Sequence, residues 1–348
     1  MAVVFKPGLN APAHPRVSVC IANFNGESLL VDCIESVLAQ DTDDAIEVLV
    51  HDDASGDGSL ALLEARYPQV HVLASVDNVG FCLGNNRMVD AARGEYVLLL
   101  NNDAALASDA IRRLLSEAER IGTTAILTLP QFDWLTGQLV DRGCLLDPFF
   151  NPIPNLDPQR DDVAYVIGAC LWCPRDTWHM LGGFPEWMES LAEDLYLCGV
   201  ARLRGLPVRA LRESGYRHRQ GATFGGNRAG SSGLATTIKR RQLSERNKTR
   251  ALMVLTPGLL AWPLLATHLC ALAAEGFLLS TLRRDLTLWR NIYSLSLATP
   301  FQESNELRGQ RRSMQAARNV TLLRWFSTTR WQLRKLAMLL KFGVPNVD

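Results

Sequence analysis

Apolar and polar positions alternate between two periods along the first half of the chain. RVSVCIA (16–22) is a β-branched, apolar run that stops at NFNGES, a turn. Beyond it Leu29, Leu30, Cys33, Ile34, Val37 and Leu38 recur at helical spacing. The same succession returns in IEVLVHDD (46–53), ASGDGS and LALLEARY, with Asp57 placed to cap the helix. VHVLAS (70–75), NVGFCLGNNRMVDAARG (78–94), YVLLL (96–100), SDAIRRLLSEAERIG and AILTLP continue it. Strands separated by helical stretches of this length predict an α/β fold, a doubly wound, mostly parallel, Rossmann-like sheet.

In such sheets ligands bind beyond the carboxyl ends of the strands, near the point where strand order reverses. Three predicted strands end in polar groups: Asn23 and Asn25 after the first, Asp52 and Asp53 after the second, Asn101, Asn102 and Asp103 after the fourth. One such ending is explained by the preference of Asn and Asp for turns. Three in register point to a polar site on one edge. Carboxylates there suit the imide of a pyrimidine base and a hard divalent cation between phosphates. No G-x-x-x-x-G-K-[ST] loop occurs, and no G-x-G-x-x-G follows the first strand, which disfavours an NTPase or a dinucleotide dehydrogenase.

Composition changes the picture at the rear. The 348 residues carry 36 Lys+Arg and 36 Asp+Glu. Residues 1–238 hold 18 basic against 30 acidic groups, and residues 239–348 hold 18 against 6, so the net charges are −12 and +12. Residues 251–274 contain no charge over 24 positions, enough by length to span a bilayer. Pro257, Pro263 and His268 interrupt the run, and basic clusters flank it on both sides, so an interfacial or re-entrant placement is expected. NVTLLRWFSTTRWQLRKLAMLLKF (319–342) has the composition of an amphipathic interfacial helix. An α-helical, membrane-associating region from 239 to 348, drawn to anionic lipid, is therefore expected; the alternative is helices packed on the front domain or in a homo-oligomer. The eight cysteines are scattered without a repeating spacing, as reduced buried thiols would be, and the lone C-x-x-C at 170–173 is not expected to bind zinc. The first fifteen residues lack a secretory apolar core, so the front domain is expected inside the cell. No nucleic acid is expected among the partners.

Taken in order, VSVCIANFNGESLLVDCIESVLAQ, VLVHDDASGDGS, NVGFCLGNN and LLLNND, followed by GACLWCPRDTWHMLGGFPEWMESLAEDLYLCGVARLRG, resemble the successive motifs of glycosyltransferase family 2, and in particular its rhamnosyltransferase-like bacterial branch. The resemblance covers roughly residues 16–226. It implies a GT-A type fold in residues 1–238, with a nucleotide-sugar half at about 16–130 and an acceptor half at about 131–238. It also implies an inverting, Mg2+- or Mn2+-dependent transfer from a nucleoside-diphosphate sugar, deoxythymidine-diphospho-rhamnose by branch.

The resemblance further implies roles for single residues. Asp52 matches the base-binding aspartate, Asn78, Gly80 and Asn86 the nucleotide-side loop, with Asn23, Asn25, Asn101 and Asn102 beside them. Asp103 matches the metal and diphosphate ligand; Asn101 stands where the stricter motif has a first carboxylate. His218 lies where the family often has a second metal-side ligand. Gly183, Phe184 and Glu193 fall on the acceptor side, and Asp194 matches the catalytic base; Tyr196 replaces a frequent second Asp. Arg217, Arg219 and Arg228, around GATFGG, are candidate phosphate contacts in a closing loop. The processive Q-x-x-R-W motif is missing, so one sugar per encounter is expected, delivered to a glycan, lipid-linked by the character of the rear, at the cytoplasmic face of the inner membrane, peripheral or re-entrant. Two rivals are a catalytically silent nucleotide-sugar scaffold and a sugar nucleotidyltransferase. Asp194 argues against the first, and the lack of a glycine- and basic-rich loop after the first strand against the second.

Overall fold

The computed structural model describes residues 2–122, 124–219, 221, 226–230 and 233–347, with side chains at 226–230 and 233–235 excepted. The chain packs into two compact units, one of residues 1–144, 154–190 and 206–223, the other of 145–153, 191–205 and 224–348. These units do not follow a single boundary at 238.

The first unit is built on an eight-stranded sheet. Its strands are β1 (Val3–Lys6), β2 (Val17–Asn23), β3 (Ile46–Asp52), β4 (His71–Ser75), β5 (Tyr96–Asn101), β7 (Ile126–Thr128), β10 (Cys170–Pro174) and β11 (Val208–Ala210), in the order β1-β4-β3-β2-β5-β10-β7-β11. The strands β4, β3, β2 and β5 are mutually parallel. Chain order runs outward from β2 to β4 and then returns to β5 on the other side of β2, so the reversal lies between β2 and β5. Register places Asn23 opposite Asp52, and Ala22 opposite Asn101. The polar strand ends thus fall on one edge, as the pattern predicts. Antiparallel pairing enters at the margins, where β10 joins β5 and β1 joins β4.

The connecting helices are α1 (Glu27–Leu38), α2 (Ser59–Arg66), α3 (Phe81–Ala91), α4 (Ala110–Ile121) and α5 (Arg175–Leu181). Helix α1 buries Leu30, Cys33, Ile34 and Val37 against Val19, Ile21 and Leu98, whereas Leu38, also expected inside, is exposed at the last helical position. Asp57 does not occupy the cap itself: Gly58 does, and the Asp57 carboxylate accepts the Ser59 amide at 3.0 Å. A second sheet not foreseen from the pattern joins β6 (Ala104–Leu106), β12 (Tyr216–His218), β8 (Gln131–Asp133) and β9 (Leu139–Asp141), in the order β6-β12-β8-β9. Its three-residue strands are too short to show a period. All eight cysteines are free and all but Cys270 are buried; burial pushes the Cys170 and Cys173 thiols up to about 12.

The second unit is helical: α6 (Glu193–Leu203), α7 (Ile238–Leu255), α8 (Ala261–Arg283), α9 (Ser294–Gln302), α10 (Ser304–Ala316), α11 (Leu322–Phe326) and α12 (Arg334–Phe342). The Thr237 hydroxyl caps α7 by accepting the Arg240 amide. The uncharged run of 251–274 is divided. Ala251, Leu252, Val254 and Leu255 are fully buried in α7, Pro257 ends that helix, and the apolar character resumes in α8. Pro263 does not break α8, because it lies in the first turn, where its missing N–H has no partner to lose. His268 is buried, its Nε2 2.9 Å from the Thr249 hydroxyl. One stretch among the described residues, Gly258–Arg283, is long and apolar enough to cross a membrane, with a third of its most apolar window buried. The expected single helix over 319–342 is instead two short ones, α11 and α12. Trp325 is buried beneath the Arg202 guanidinium, and residues 327–333 between the helices are not helical.

Candidate functional site

The carboxyl edge at the β2/β5 reversal is a continuous polar chain. The Asn23 amide donates to Asp52 Oδ1 at 2.9 Å and accepts from the Asn102 amide at 2.8 Å, so three strand ends are tied together by buried side chains. The second Asp52 oxygen accepts the Ser55 amide at 3.1 Å. Gly26 lies against this chain: a Cβ there would stand 2.1 Å from Asn102 Nδ2 and 2.3 Å from Asn23 Oδ1. Asn25, at φ +50°, accepts the Gly56 amide through Oδ1. Asp52 is fully buried and holds the edge together in this conformation.

Its neighbour Asp53 has the task for which sequence gave little warning. Its two oxygens accept the successive amides of Val79 and Gly80 at 2.7 and 2.9 Å, and its carbonyl accepts from Asn78 Nδ2 at 3.4 Å. Gly80, at φ +85°, turns the chain there into α3. The doublet Asp52–Asp53 was the available signal: the first ends β3 and the second lies just beyond it, and the two carboxylates serve two places.

Asp103 and His218, 115 positions apart, come together. Antiparallel pairing of β6 and β12 sets His218 opposite Ala104, and the Asp103 carbonyl accepts the Arg219 amide at 3.0 Å. His218 Nε2 then lies 3.0 Å from Asp103 Oδ1, both side chains buried. Among the described residues Asp103 Oδ1 and His218 Nδ1 have no hydrogen-bond partner. Buried polar atoms left in this way need another partner. One hard oxygen and one imidazole nitrogen fit Mg2+ or Mn2+, which keep water and phosphate oxygens as their remaining ligands. No group of three or more His, Cys, Asp or Glu able to hold a metal occurs among the described residues. Asp141, on β9, is a buried neighbour that sequence gave no means of finding. Burial pushes its carboxyl up to about 7, against the opposing effects of the Gly143 amide and His218.

Of the candidate phosphate contacts, Arg219 is paired with Asp32 and lies over the Trp134 ring at 3.8 Å, and Arg217 is exposed. The side chain of Arg228 and most of GATFGG lie outside the described residues.

The Asn86 side chain does not face the strand ends. It brackets the backbone of Phe184, accepting its amide and donating to its carbonyl, both at 2.9 Å. Gly183, at φ +64°, has no room for a Cβ, which would stand 2.6 Å from Asn86 Oδ1. Phe184 is buried against Trp178 and Phe81. One residue assigned to the donor side and two assigned to the acceptor side therefore form a single clamp.

Glu193 and Asp194 begin α6 in the second unit, after Leu191 and Ala192, both at positive φ. Strained non-glycine backbone of this kind persists where the surroundings require it. Glu193 is buried; burial, then the adjacent Asp194, pushes its carboxyl up to about 8 against the pull of Arg240. Its Oε2 has no hydrogen-bond partner among the described residues. Asp194 is half-buried and accepts the Leu195 amide at 2.7 Å. Tyr196 is buried, with its hydroxyl pushed up to about 12 by burial.

Residues 18–175, which contain the strand ends and Asp103, match the model of glycosyl transferase family 2. This segment is a family 2 glycosyltransferase domain. The chain is 35% identical over 118 residues to the succinoglycan biosynthesis protein ExoO of Rhizobium meliloti, a match covering 33% of this chain and 34% of that protein. To the chondroitin synthase of Escherichia coli it is 29% identical over 188 residues, covering 53% of this chain and 26% of the synthase. The chain thus spans about a quarter to a third of these relatives. Among solved structures, the mannosyltransferase PcManGT of Pyrobaculum calidifontis, in complex with GDP-Man and Mn2+, superposes with a TM-score of 0.51 at 17% identity, covering 89% of this chain and 90% of that one. The fold is that of the GT-A glycosyltransferases, a parallel-rich α/β sheet, here with a helical C-terminal region containing one long apolar helix.

Proposed function

We propose that this chain is an inverting, non-processive glycosyltransferase. It takes a hexosyl or rhamnosyl group from a nucleoside-diphosphate sugar, with Mg2+ or Mn2+, and joins it to a hydroxyl of a lipid-linked glycan in bacterial surface polysaccharide synthesis. The observation that carries the reading is the Asp103–His218 pair at the carboxyl edge of a family 2 sheet. The names of the relatives and the GDP-Man and Mn2+ in the mannosyltransferase complex support it. The acidic front unit and the exposed apolar side chains of α8 support a site at the cytoplasmic membrane face, peripheral or re-entrant.

In this reading Asp103 and His218 hold the divalent ion, which supplies positive charge to the departing diphosphate. Asn23 and Asn102 fix the strand ends so that Asp103 keeps its aim. Asp53 sets the loop at Asn78–Gly80 beside the nucleotide, and Asp52 holds the edge on which the base rests. Asp194 accepts the proton of the acceptor hydroxyl as the new C–O bond forms and the sugar–phosphate bond breaks on the opposite face, so the anomeric centre inverts. Glu193, neutral near pH 7, leaves Asp194 as the single anion at the start of α6.

The test is calorimetric titration of the full chain with UDP, dTDP and GDP, with Mn2+ and with chelator. One nucleotide binds in a Mn2+-dependent manner to the wild type, and Asp103→Ala loses that dependence while its thermal unfolding is unchanged, since a ligand at a strand end adds little packing. Equal binding with chelator, or by Asp103→Ala, removes the metal assignment.

A further inference from the structure

Helix α10 carries arginines on one face. Arg308, Arg311 and Arg312 stand three and four residues apart, and with Arg318, Leu259 and Trp262 they line a cavity of about 800 Å3 in the second unit. The four arginines differ in state. Arg311 is buried and donates to the carbonyls of Met253, Thr256 and Gly258, so it closes the end of α7 and forms the floor. Arg308, Arg312 and Arg318 are exposed, and among the described residues none of them is paired with a carboxylate. No Asp or Glu lines the cavity.

A second cavity of about 350 Å3 adjoins it, sharing Trp262 and Arg308 and otherwise lined by side chains such as Leu265, Leu269 and Phe301. Phe301 and Leu259 are 71% and 83% exposed. A cationic chamber and an apolar chamber meeting at one Trp–Arg wall match an amphiphile with an anionic head and a hydrocarbon tail. Three unpaired guanidinium groups exceed the single charge of a phosphodiester lipid; they match a terminal phosphate or a diphosphate, each near two negative charges, through charge-assisted N–H···O bonds.

We propose that this pair of cavities binds a lipid phosphate or diphosphate, its head between Arg308, Arg312 and Arg318 and the start of its tail along Trp262 and Phe301. The proposal deepens the reading of a lipid-linked acceptor, resting on it for the purpose of the bound lipid but not for the binding itself. The test is flotation of the full chain with phosphatidylcholine vesicles containing phosphatidic acid, whose head is a phosphate monoester, in the absence of any sugar nucleotide.

Wild type binds these vesicles. The double substitution Arg308→Gln, Arg312→Gln weakens binding about tenfold or more, and Phe301→Ser weakens it severalfold. The charge-matched control Arg290→Gln, Arg330→Gln, also exposed and in the same unit, changes it less than about twofold. Equal losses in the two double variants reduce the effect to diffuse surface charge and overturn the site. Equal binding to phosphatidylglycerol vesicles of the same surface charge overturns the choice of head. Tight binding of inorganic pyrophosphate by a chain that ignores the vesicles, unaffected by Phe301→Ser, overturns the lipid. Asp103→Ala floats like wild type, so failure of the transfer reading and failure of the lipid site are read separately.

Discussion

Glu193→Gln isolates the energetic cost of the buried carboxyl at the start of α6. In the folded chain burial lifts Glu193 from the ordinary 4.5 to about 8, so between those values the native state holds a proton that the unfolded chain has released. A raised folded pKa contributes stability that is fully present below pH 4.5 and is lost as pH rises through 8. At 1.36 kcal/mol per pH unit the full span corresponds to ~5 kcal/mol. Once ionised, the carboxylate turns toward Arg240 and water, so a differential of about 2–4 kcal/mol is expected. Gln keeps the shape and a donor but cannot ionise. The measurement is urea unfolding of both proteins at intervals from pH 5 to 9, with the midpoint and slope read at each. Subtracting one series from the other removes the titration of Asp141 and the histidines, which both proteins share. Wild type falls relative to Glu193→Gln across this window, most steeply between about pH 5.5 and 7. Parallel curves refute the raised carboxyl, and with it the reason for excluding Glu193 as the proton acceptor.

Asp194→Asn keeps the Leu195 amide contact but removes basicity, so turnover falls by ~10²-fold or more while nucleotide affinity, measured on the same preparation, stays within about twofold. Unchanged turnover rules out Asp194 as the base, and equal losses in turnover and affinity make it a helix-start residue only. Asn86→Ala leaves the Phe184 amide and carbonyl without their partners beside a buried ring and costs about 1–3 kcal/mol in urea unfolding. Asn86→Asp is no better, because its second oxygen meets the Phe184 carbonyl; a stability within 0.5 kcal/mol of wild type for either variant removes the clamp.

The strands β2 to β5 were legible because they are largely buried and five to seven residues long, so apolar runs and their polar ends survive in sequence. The flanking pieces were not. Strand β1 is an edge strand with every side chain exposed, and β6, β8, β9 and β12 have three residues each, less than two full periods of alternation. Their existence depends on pairing between segments up to 114 positions apart, such as Ala104 with His218, which no local window contains. The rear reads as helical in sequence and is helical, but its segment boundaries were hidden for a different reason. Residues 251–255 are apolar because they are core, and the following helix is apolar on an exposed surface, so two environments with one composition read as one segment.

At the site, residue identity was more legible than role. The β6–β12 pairing brings Asp103 and His218 side by side, and the partner relationships among the other polar residues come from geometry alone. The resemblance groups Asn86 with Asn78 and Gly80 on the nucleotide side; five positions, about 1.4 turns of α3, separate it from Phe81, and its side-chain amide meets Phe184. Asp52 and Asp53 divide in the same way. The first, the last residue of β3, lies in the edge, where Asn23 and Ser55 satisfy it, and the second, just beyond the strand, accepts the loop amides of Val79 and Gly80. A carboxylate whose oxygens are already engaged positions its neighbours, whereas one with an orphaned buried oxygen, such as Asp103, has capacity for a ligand. On that criterion Asp103, whose Oδ1 lies beside His218, is the carboxylate of this edge open to a ligand, while Asn23, Asp52 and Asn102 tie the strand ends to one another.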